Sequence, residues 1–334
     1  MVVGYDRETL MRSTVWIAIS LLLLGCGGTG NETGGEAGAA GQLTIGFSQV
    51  GSESSWRTMF SESVKAEAEM RGINLKFSDA QQKQENQIKA IRSFIAQGVD
   101  AIVVAPVVET GWRPVLVEAQ RAGIPVVIVD RNMALDDDSL YLTRIASDFV
   151  EEGRKAARWL MNATGGECNI VEIQGTVGAT AAIDRMKGFN EIIDQYEGAT
   201  IIRSQTGEFT RSKGKEVMES FLKAENGGEN ICAVWAHNDE MALGAALAIK
   251  EAGLDPGDDI LIVSVDAVPD MFKAMADGDT NATVELSPDM GGPAFDAIEA
   301  YLSGDTDIPK LITINGDLYT QETAAEEYRR RTGQ

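Results

Sequence analysis

The sequence predicts an α/β protein of two lobes, each built on a doubly wound parallel sheet and joined by a multi-strand hinge. Three observations carry that expectation. The 334 residues allow about two domains at the usual ~100–200 residues each. Short, nearly continuous apolar runs rich in β-branched residues alternate with helical stretches, the pattern of parallel strands covered on both faces. Midway along the chain the same alternation starts again.

The first set of strands reads LTIGFSQV (43–50), NLKFSDA (74–80), AIVVAPV (101–107) and PVVIVDR (125–131). Helices fall near 56–71, 83–97 and 112–122, with Gly72, Gly98 and Gly123 where a helix C-cap favours glycine. The second set reads NIVEIQG (169–175), TIIRSQTG (200–207), AVWAHN (233–238) and DILIVSVDA (259–267), with helices near 149–162, 179–195, 211–224, 240–252 and 269–276. ATVELSP (282–288), a helix over 292–304 and a final strand LITINGDL (311–318) complete the chain. Crossovers are expected near 145–148, 285–287 and 308–312. They divide the chain into an N-terminal lobe (43–146 with 287–310) and a C-terminal lobe (147–286 with 311–334). Several crossovers make a hinge that opens and shuts.

The start of the chain is an address. Residues 14–24 (TVWIAISLLLL) form an apolar run too short for a bilayer span of ~20 residues. It follows Met11-Arg12 and ends in Leu23-Leu24-Gly25-Cys26, which reads as a secretory signal over residues 1–26. Its end resembles the lipobox of bacterial lipoproteins, in which the cysteine becomes the lipidated first residue of the mature chain. Asp6 and Glu8 sit badly in a basic leader, so Met11 is the better start. Residues 27–42 (GGTGNETGGEAGAAGQ) read as a flexible tether. Gly25, Gly27 and Gly30 fit G-x-G-x-x-G, but neither a strand nor a helix flanks them as dinucleotide binding requires.

Composition excludes several classes. With 44% hydrophobic and 24% charged residues, disorder over most of the length is ruled out. Acidic residues outnumber basic ones 51 to 29, for a net charge of −22, which repels nucleic acid. The excess persists past the leader: residues 27–334 carry 49 acidic and 27 basic groups. A saline habitat and ordinary solubility both account for it. One histidine and three cysteines leave little for a zinc or iron site or for His-dependent catalysis, so no metal or cofactor is expected. Cys168 and Cys232 each precede a strand-like run, which places both at one edge of one sheet. A disulfide between them is predicted, contributing roughly 4 kcal/mol in the chain-entropy model, with two buried thiols as the alternative.

In open α/β sheets, ligands sit outside the carboxyl ends of the strands. After the first strand come Gly51-Ser52-Glu53-Ser54-Ser55-Trp56-Arg57. The strand 125–131 ends in Asp130-Arg131, the strand 233–238 in Asn238-Asp239, and 259–267 delivers Asp266. Arg185 lies on the helix after 169–175, Phe209 and Arg211 follow 200–207, and Glu285 falls at a crossover. Planar Asp, Asn and Arg groups each engage two neighbouring sugar hydroxyls, while a ring covers the apolar face of the sugar. Opposite charges compensate one another when a cleft closes, whereas phosphate would favour a basic set and a metal an acidic one. Trp56 reads equally as core or as platform, Asn238 as helix cap as well as ligand, and His237 as structural.

These residues carry a resemblance. GFSQVGSESSWR, DAQQKQENQIKAIRSFIAQGVDAIVVAPVVETGW, QGTVGATAAIDRMKGF, FTRSKGKEVMESFLKAEN and AHNDEMALGA make residues 43–330 similar to the periplasmic sugar-binding proteins of ABC importers, of the ribose-binding type, and within them to the galactofuranose-binding branch. The resemblance implies a Venus-flytrap fold (periplasmic binding protein type I) and a bound monosaccharide, galactofuranose foremost, with ribose or another pentose or hexose as alternatives. It also implies a monomer and an ABC permease as partner. Carried over, the ligand contacts are Glu53, Ser54, Ser55, Trp56, Arg57, Asp130, Arg131, Arg185, Asn238 and Asp266. The broader pattern adds Phe209 as a stacking ring and Glu285 near the hinge. Ser55 stands where the likeness suggests glycine, and Glu285 where an amide is common. The Cys168–Cys232 bond is supported as well. With the lipid signal at Cys26, the expected place is extracytoplasmic and membrane-anchored.

Three other classes compete. A sugar sensor feeding a chemoreceptor or kinase would use the same parts. A repressor of this architecture would need a basic helix-turn-helix where this sequence has a leader and tether. No G-x-S-x-G, H-E-x-x-H or P-loop marks an enzyme.

Overall fold

Strands made of Ala, Val and Ile with no alternation must be covered on both sides, and the structure is built around them. It is a computed structural model that describes residues 42–334. The expected leader 1–26, with Cys26 and nearly all of the tether 27–42, lies outside the described residues.

In chain order the first half holds β1 (Thr44–Gln49), α1 (Ser55–Met70), β2 (Asn74–Asp79), α2 (Gln84–Gln97), β3 (Ala101–Val104), α3 (Arg113–Arg121), β4 (Val126–Val129) and β5 (Thr143–Ala146). There follow α4 (Phe149–Thr164), β6 (Glu167–Gln174), α5 (Thr180–Ile193), β7 (Gly198–Thr206), α6 (Arg211–Ala224), β8 (Ala233–Ala236), α7 (Asp239–Glu251), β9 (Leu261–Asp266) and α8 (Pro269–Ala276). The chain ends with β10 (Ala282–Glu285), α9 (Gly291–Leu302), β11 (Leu311–Thr313), β12 (Leu318–Thr320) and α10 (Gln321–Thr332). Every residue of β3, β4 and β8 is buried, as their composition demands.

The strands form two six-stranded sheets, β2-β1-β3-β4-β5-β11 and β7-β6-β8-β9-β10-β12. Read from β2 and from β7, the order is the same doubly wound one twice over. In each sheet it reverses beside the first strand, so each has a switch point between β1 and β3 or between β6 and β8. All pairings are parallel except β10 with β12.

The ends of the chain differ from expectation. The single strand expected over 311–318 is two: β11 joins the first sheet beside β5, and β12 joins the second beside β10. The third crossing therefore lies at 314–317, beyond the expected 308–312, and residues 311–313 belong with the first sheet. Glycine is required in this crossing, since a Cβ on Gly316 would overlap the Glu285 carbonyl oxygen where two crossings pass each other. Two elements were unforeseen. β5 stands where only a crossover was read. The polar helix α10 has one fully buried residue, Ala324, and so has almost no apolar stripe to announce it.

Two features of the second half fix the site's frame. Helices α4 and α5 touch backbone to backbone, because a Cβ on Gly153 would overlap the Arg185 carbonyl and one on Gly188 the Val150 carbonyl. At the opposite, amino-terminal edge of the sheet, Cys168 and Cys232 form the expected disulfide, their Cα atoms 5.3 Å apart, tying neighbouring strands β6 and β8 together.

Candidate functional site

The carboxyl ends of the two sheets face each other across a small cavity. Ten of the twelve residues predicted from sequence line it: Glu53, Ser54, Trp56, Arg57, Asp130, Arg131, Arg185, Phe209, Asn238 and Asp266. Ala181 and Leu286 join them. Ala181 is apolar, but it lies one helical turn before Arg185. Leu286 follows β10 immediately, where the strand-end rule would have found it.

Local structure sets these side chains. Ser54 caps α1, its Oγ accepting from the Arg57 amide at 3.0 Å. Asn238 caps α7, its Oδ1 accepting from the Met241 amide at 3.1 Å while its Nδ2 donates to the Phe209 carbonyl at 3.2 Å. Trp56 is both core and cavity wall. It is 2% exposed and packs on Phe60 with ring centroids 5.5 Å apart, its indole N–H donates to the Leu286 carbonyl at 2.6 Å, and it forms cavity wall. Asp130, Phe209 and Asp266 have φ of 62°, 62° and 130°, backbone that side chains rarely adopt. Strain of this kind persists where surroundings over-determine it, and it collects at binding sites.

Charge is balanced inside the cavity: Glu53, Asp130 and Asp266 face Arg57, Arg131 and Arg185. Arg57 reaches Glu53 Oε1 at 3.3 Å and Asp130 Oδ2 at 2.9 Å, and donates to Gln49 Oε1 at 3.3 Å. Arg131 donates to the Val107 carbonyl at 2.9 Å, approaches Glu53 at 3.7 Å and lies over the Phe209 ring, 5.1 Å from its centroid. Arg185 donates to Glu152 Oε2 at 2.8 Å and to the His237 carbonyl at 2.6 Å, and stands 3.8 Å from Asp266. His237 is structural, as expected. The Gly175 amide donates to its Nδ1, so Nε2 carries the proton towards Glu172 Oε1, 3.1 Å away.

Burial and these neighbours displace the titrations. Burial foremost, then the charge of Arg57, brings Arg131 down to about 10 against the pull of Asp130 and Glu53, so it is still a cation at neutral pH. For Arg57 burial is again the largest influence, but Asp130 and Glu53 outweigh it and hold the guanidinium above its ordinary value. Burial lifts Asp266 well above the usual carboxylate range, although Arg185 opposes it. Three polar atoms of the lining are buried without a hydrogen-bond partner in the protein, Glu53 Oε2, Arg131 Nε and Arg185 Nη2, while Asp130 Oδ2 is held by Arg57. One acceptor and two donors thus suit a ligand that both donates and accepts, as a polyol does.

Two predicted residues lie elsewhere. Ser55 turns away from the cavity, its amide and hydroxyl donating to Glu240 Oε1 at 3.2 and 2.7 Å. Position N1 of α1 faces the other lobe rather than the cleft. Glu285 is neutralised by Arg331 Nη2 at 2.7 Å, on the far side of β10 beside Tyr319. Arg211 also stays outside, bound to Glu240 and Asp270 at 2.6 and 2.9 Å. No helix among the described residues is long and apolar enough to cross a membrane.

Known proteins are similar to this chain in sequence and fold. The family described as "Periplasmic binding protein domain" matches residues 45–306. The galactofuranose-binding protein YtfQ of Escherichia coli (strain K12) is 59% identical over 87% of this chain and 92% of its own. The periplasmic binding protein component of the arabinose ABC transporter from Shewanella sp. ANA-3, solved with α- and β-L-arabinofuranose, is 74% identical with a TM-score of 0.86, covering 87% of this chain and 96% of that one. A Mycobacterium smegmatis protein solved with β-D-fucofuranose is 47% identical with a TM-score of 0.84, covering 87% and 95%. The fold, the cavity and these likenesses together establish that the chain belongs to the periplasmic binding protein family, as an extracytoplasmic sugar-binding protein of ABC transport and not an enzyme.

Proposed function

We propose that the chain closes its two lobes on one furanose sugar, galactofuranose or a sugar sharing its ring, and hands it intact to an ABC permease. The observation that carries this reading is the convergence of ten residues from the carboxyl sides of both sheets on one small, charge-balanced cavity. Galactofuranose, L-arabinofuranose and D-fucofuranose have the same configuration around the ring and differ only in the arm at C4. The sugars named for three relatives therefore point to one ring shape. Against such a ring, Asp130, Asp266 and Glu53 accept from hydroxyls, Arg131, Arg185 and Asn238 donate to them, and Trp56 and Phe209 cover the C–H faces.

Binding to one lobe adds contacts to the other, and that differential affinity drives closure. The moving bodies on this reading are residues 43–146 with 287–313, and 147–286 with 318–334. The monomer is held at the membrane by lipid on Cys26 and the tether over 27–42. The multiple acyl chains of a bacterial lipoprotein hold where one would not.

A melting screen of the purified chain against methyl furanosides and pyranosides tests the reading. At a hundredfold excess over Kd a ligand stabilises by about 2.7 kcal/mol, several degrees in Tm. Galacto-configured furanosides should raise Tm with one-site calorimetric titration. A chain that responds to no furanoside, or to pyranosides only, refutes the proposal.

A further inference from the structure

We infer that Ser55 and Glu240 form a clasp between the lobes that holds the closed state and sets the rate of sugar release, without touching the sugar. This rests on binding by lobe closure, as proposed above.

The geometry is specific. Ser55 is the first residue of α1, at the carboxyl edge of the first sheet, and Glu240 lies in the first turn of α7, at the carboxyl edge of the second. The residues are 185 positions apart in sequence, yet Glu240 Oε1 accepts from both the amide and the hydroxyl of Ser55, at 3.2 and 2.7 Å. The Ser55 amide belongs to the first turn of α1, whose N–H groups lack partners within the helix. A carboxylate from the opposite lobe satisfies it and meets the positive end of the helix. Other interlobe hydrogen bonds near the cleft are neutral: the Trp56 indole to the Leu286 carbonyl at 2.6 Å, the Glu109 amide to the Gly178 carbonyl at 2.9 Å, and the Asn132 amide to Thr180 Oγ1 at 2.8 Å.

The second lobe holds the carboxylate ready before closure. Glu240 is 7% exposed, and its Oε2 accepts from Arg211 Nε at 2.6 Å, while Arg211 Nη2 is fixed by Asp270 at 2.9 Å. Closing therefore inserts the Ser55 donors against an oriented acceptor, and opening must break a charge-assisted pair. Interactions formed only in the closed state slow dissociation more than they speed association.

The test is stopped-flow tryptophan fluorescence with methyl galactofuranoside on the parent, Ser55→Ala, Ser55→Thr, Glu240→Ala and the Ser55→Ala/Glu240→Ala double variant. Ser55→Ala should raise the dissociation rate about five- to tenfold and change the association rate less than twofold. Ser55→Thr, which keeps the hydroxyl, should restore most of the loss, and Ser55→Ala should add almost nothing in the Glu240→Ala background. Dissociation rates of Ser55→Ala within twofold of the parent, or equal acceleration in both backgrounds, overturn the clasp. If the parent shows no sugar response, the ligand reading fails and the clasp is judged from small-angle scattering of the sugar-free chain. A larger radius of gyration for Ser55→Ala than for the parent then supports it, and equal radii overturn it.

Discussion

Asp130→Asn is the sharpest perturbation of the cavity. Asparagine tolerates the left-handed backbone that Asp130 adopts at φ 62°, so the change isolates charge from strain. The carboxylate stands 2.9 Å from Arg57 Nη1 and 3.9 Å from Arg131 Nε. At an effective dielectric of about 20 those distances correspond to roughly 6 and 4 kcal/mol of gross attraction. Removing the ion also returns its desolvation cost of several kcal/mol, so the net loss of stability is about 3 kcal/mol, typical of a broken buried pair. For the sugar, a hydroxyl that donated to a carboxylate now donates to an amide oxygen, beside a lining of net charge +1. Exchanging a charged acceptor for a neutral one costs about 1–2 kcal/mol, or five- to thirtyfold in Kd. Calorimetry with methyl galactofuranoside and urea unfolding measure the two effects separately. Asp130→Ala should lose about 1–2 kcal/mol more stability, because alanine resists positive φ. If Asp130→Asn binds within twofold of the parent and unfolds within ~0.5 kcal/mol of it, Asp130 neither contacts the sugar nor holds the two arginines.

Three further outcomes follow from the same geometry. Replacing Cys168 and Cys232 by serine should cost roughly 4 kcal/mol in urea unfolding, from the 64-residue separation of the pair, yet leave Kd unchanged because the bond lies at the edge away from the cavity; a shifted Kd would contradict that placement. Gly153→Ala should weaken sugar binding at least tenfold and lower Tm, since its methyl pushes against the Arg185 carbonyl and displaces α5; unchanged affinity would mean that Arg185 is not held by that crossing. The third outcome concerns pH. The chain has one histidine, and burial keeps the pKa of His237 below its ordinary value, so below about pH 6.5 the unfolded chain takes a proton that the native one refuses and stability falls. Burial lifts Asp239 to about 7 and raises Asp266, and these give the opposite slope: stability lost as pH rises from about 4 towards 7. Removing the histidine by His237→Gln should therefore make unfolding free energy rise more steeply on going from pH 7 to 5, and parallel curves for parent and variant would refute the assignment.

How far the sequence could be read depended on whether a residue's role was local. Continuous apolar strands such as AIVV and VVIV announced their double burial, and Gly98 at φ 65° closes α2 where a C-cap glycine was expected. Cleft residues were legible because a doubly wound sheet puts its ligand at strand ends, so Asp130 and Asp266 could be found by counting from a strand. What a distant segment decides was hidden. The resemblance assigns Ser55 to the sugar, and only the fold brings Glu240 to it. Glu285 was read from its position at a crossover, while its partner Arg331 lies on α10, a helix too polar to be seen. Asn315-Gly316-Asp317 was a turn signal in plain sight, yet it was absorbed into a strand because the Leu311–Thr313 run before it is apolar.

The repeated strand order of the two sheets has one more consequence. Asp130 follows β4 and Asp266 ends β9, strands that hold the same place in their respective weaves, and both residues carry positive φ. Under the proposed function each half offers an equivalent handhold to an opposite edge of one small guest. Cut apart, either half would hold that guest by one edge alone. Joined by three short chain passages, the second half meets the guest at a high effective concentration, so the two weak grips multiply rather than add.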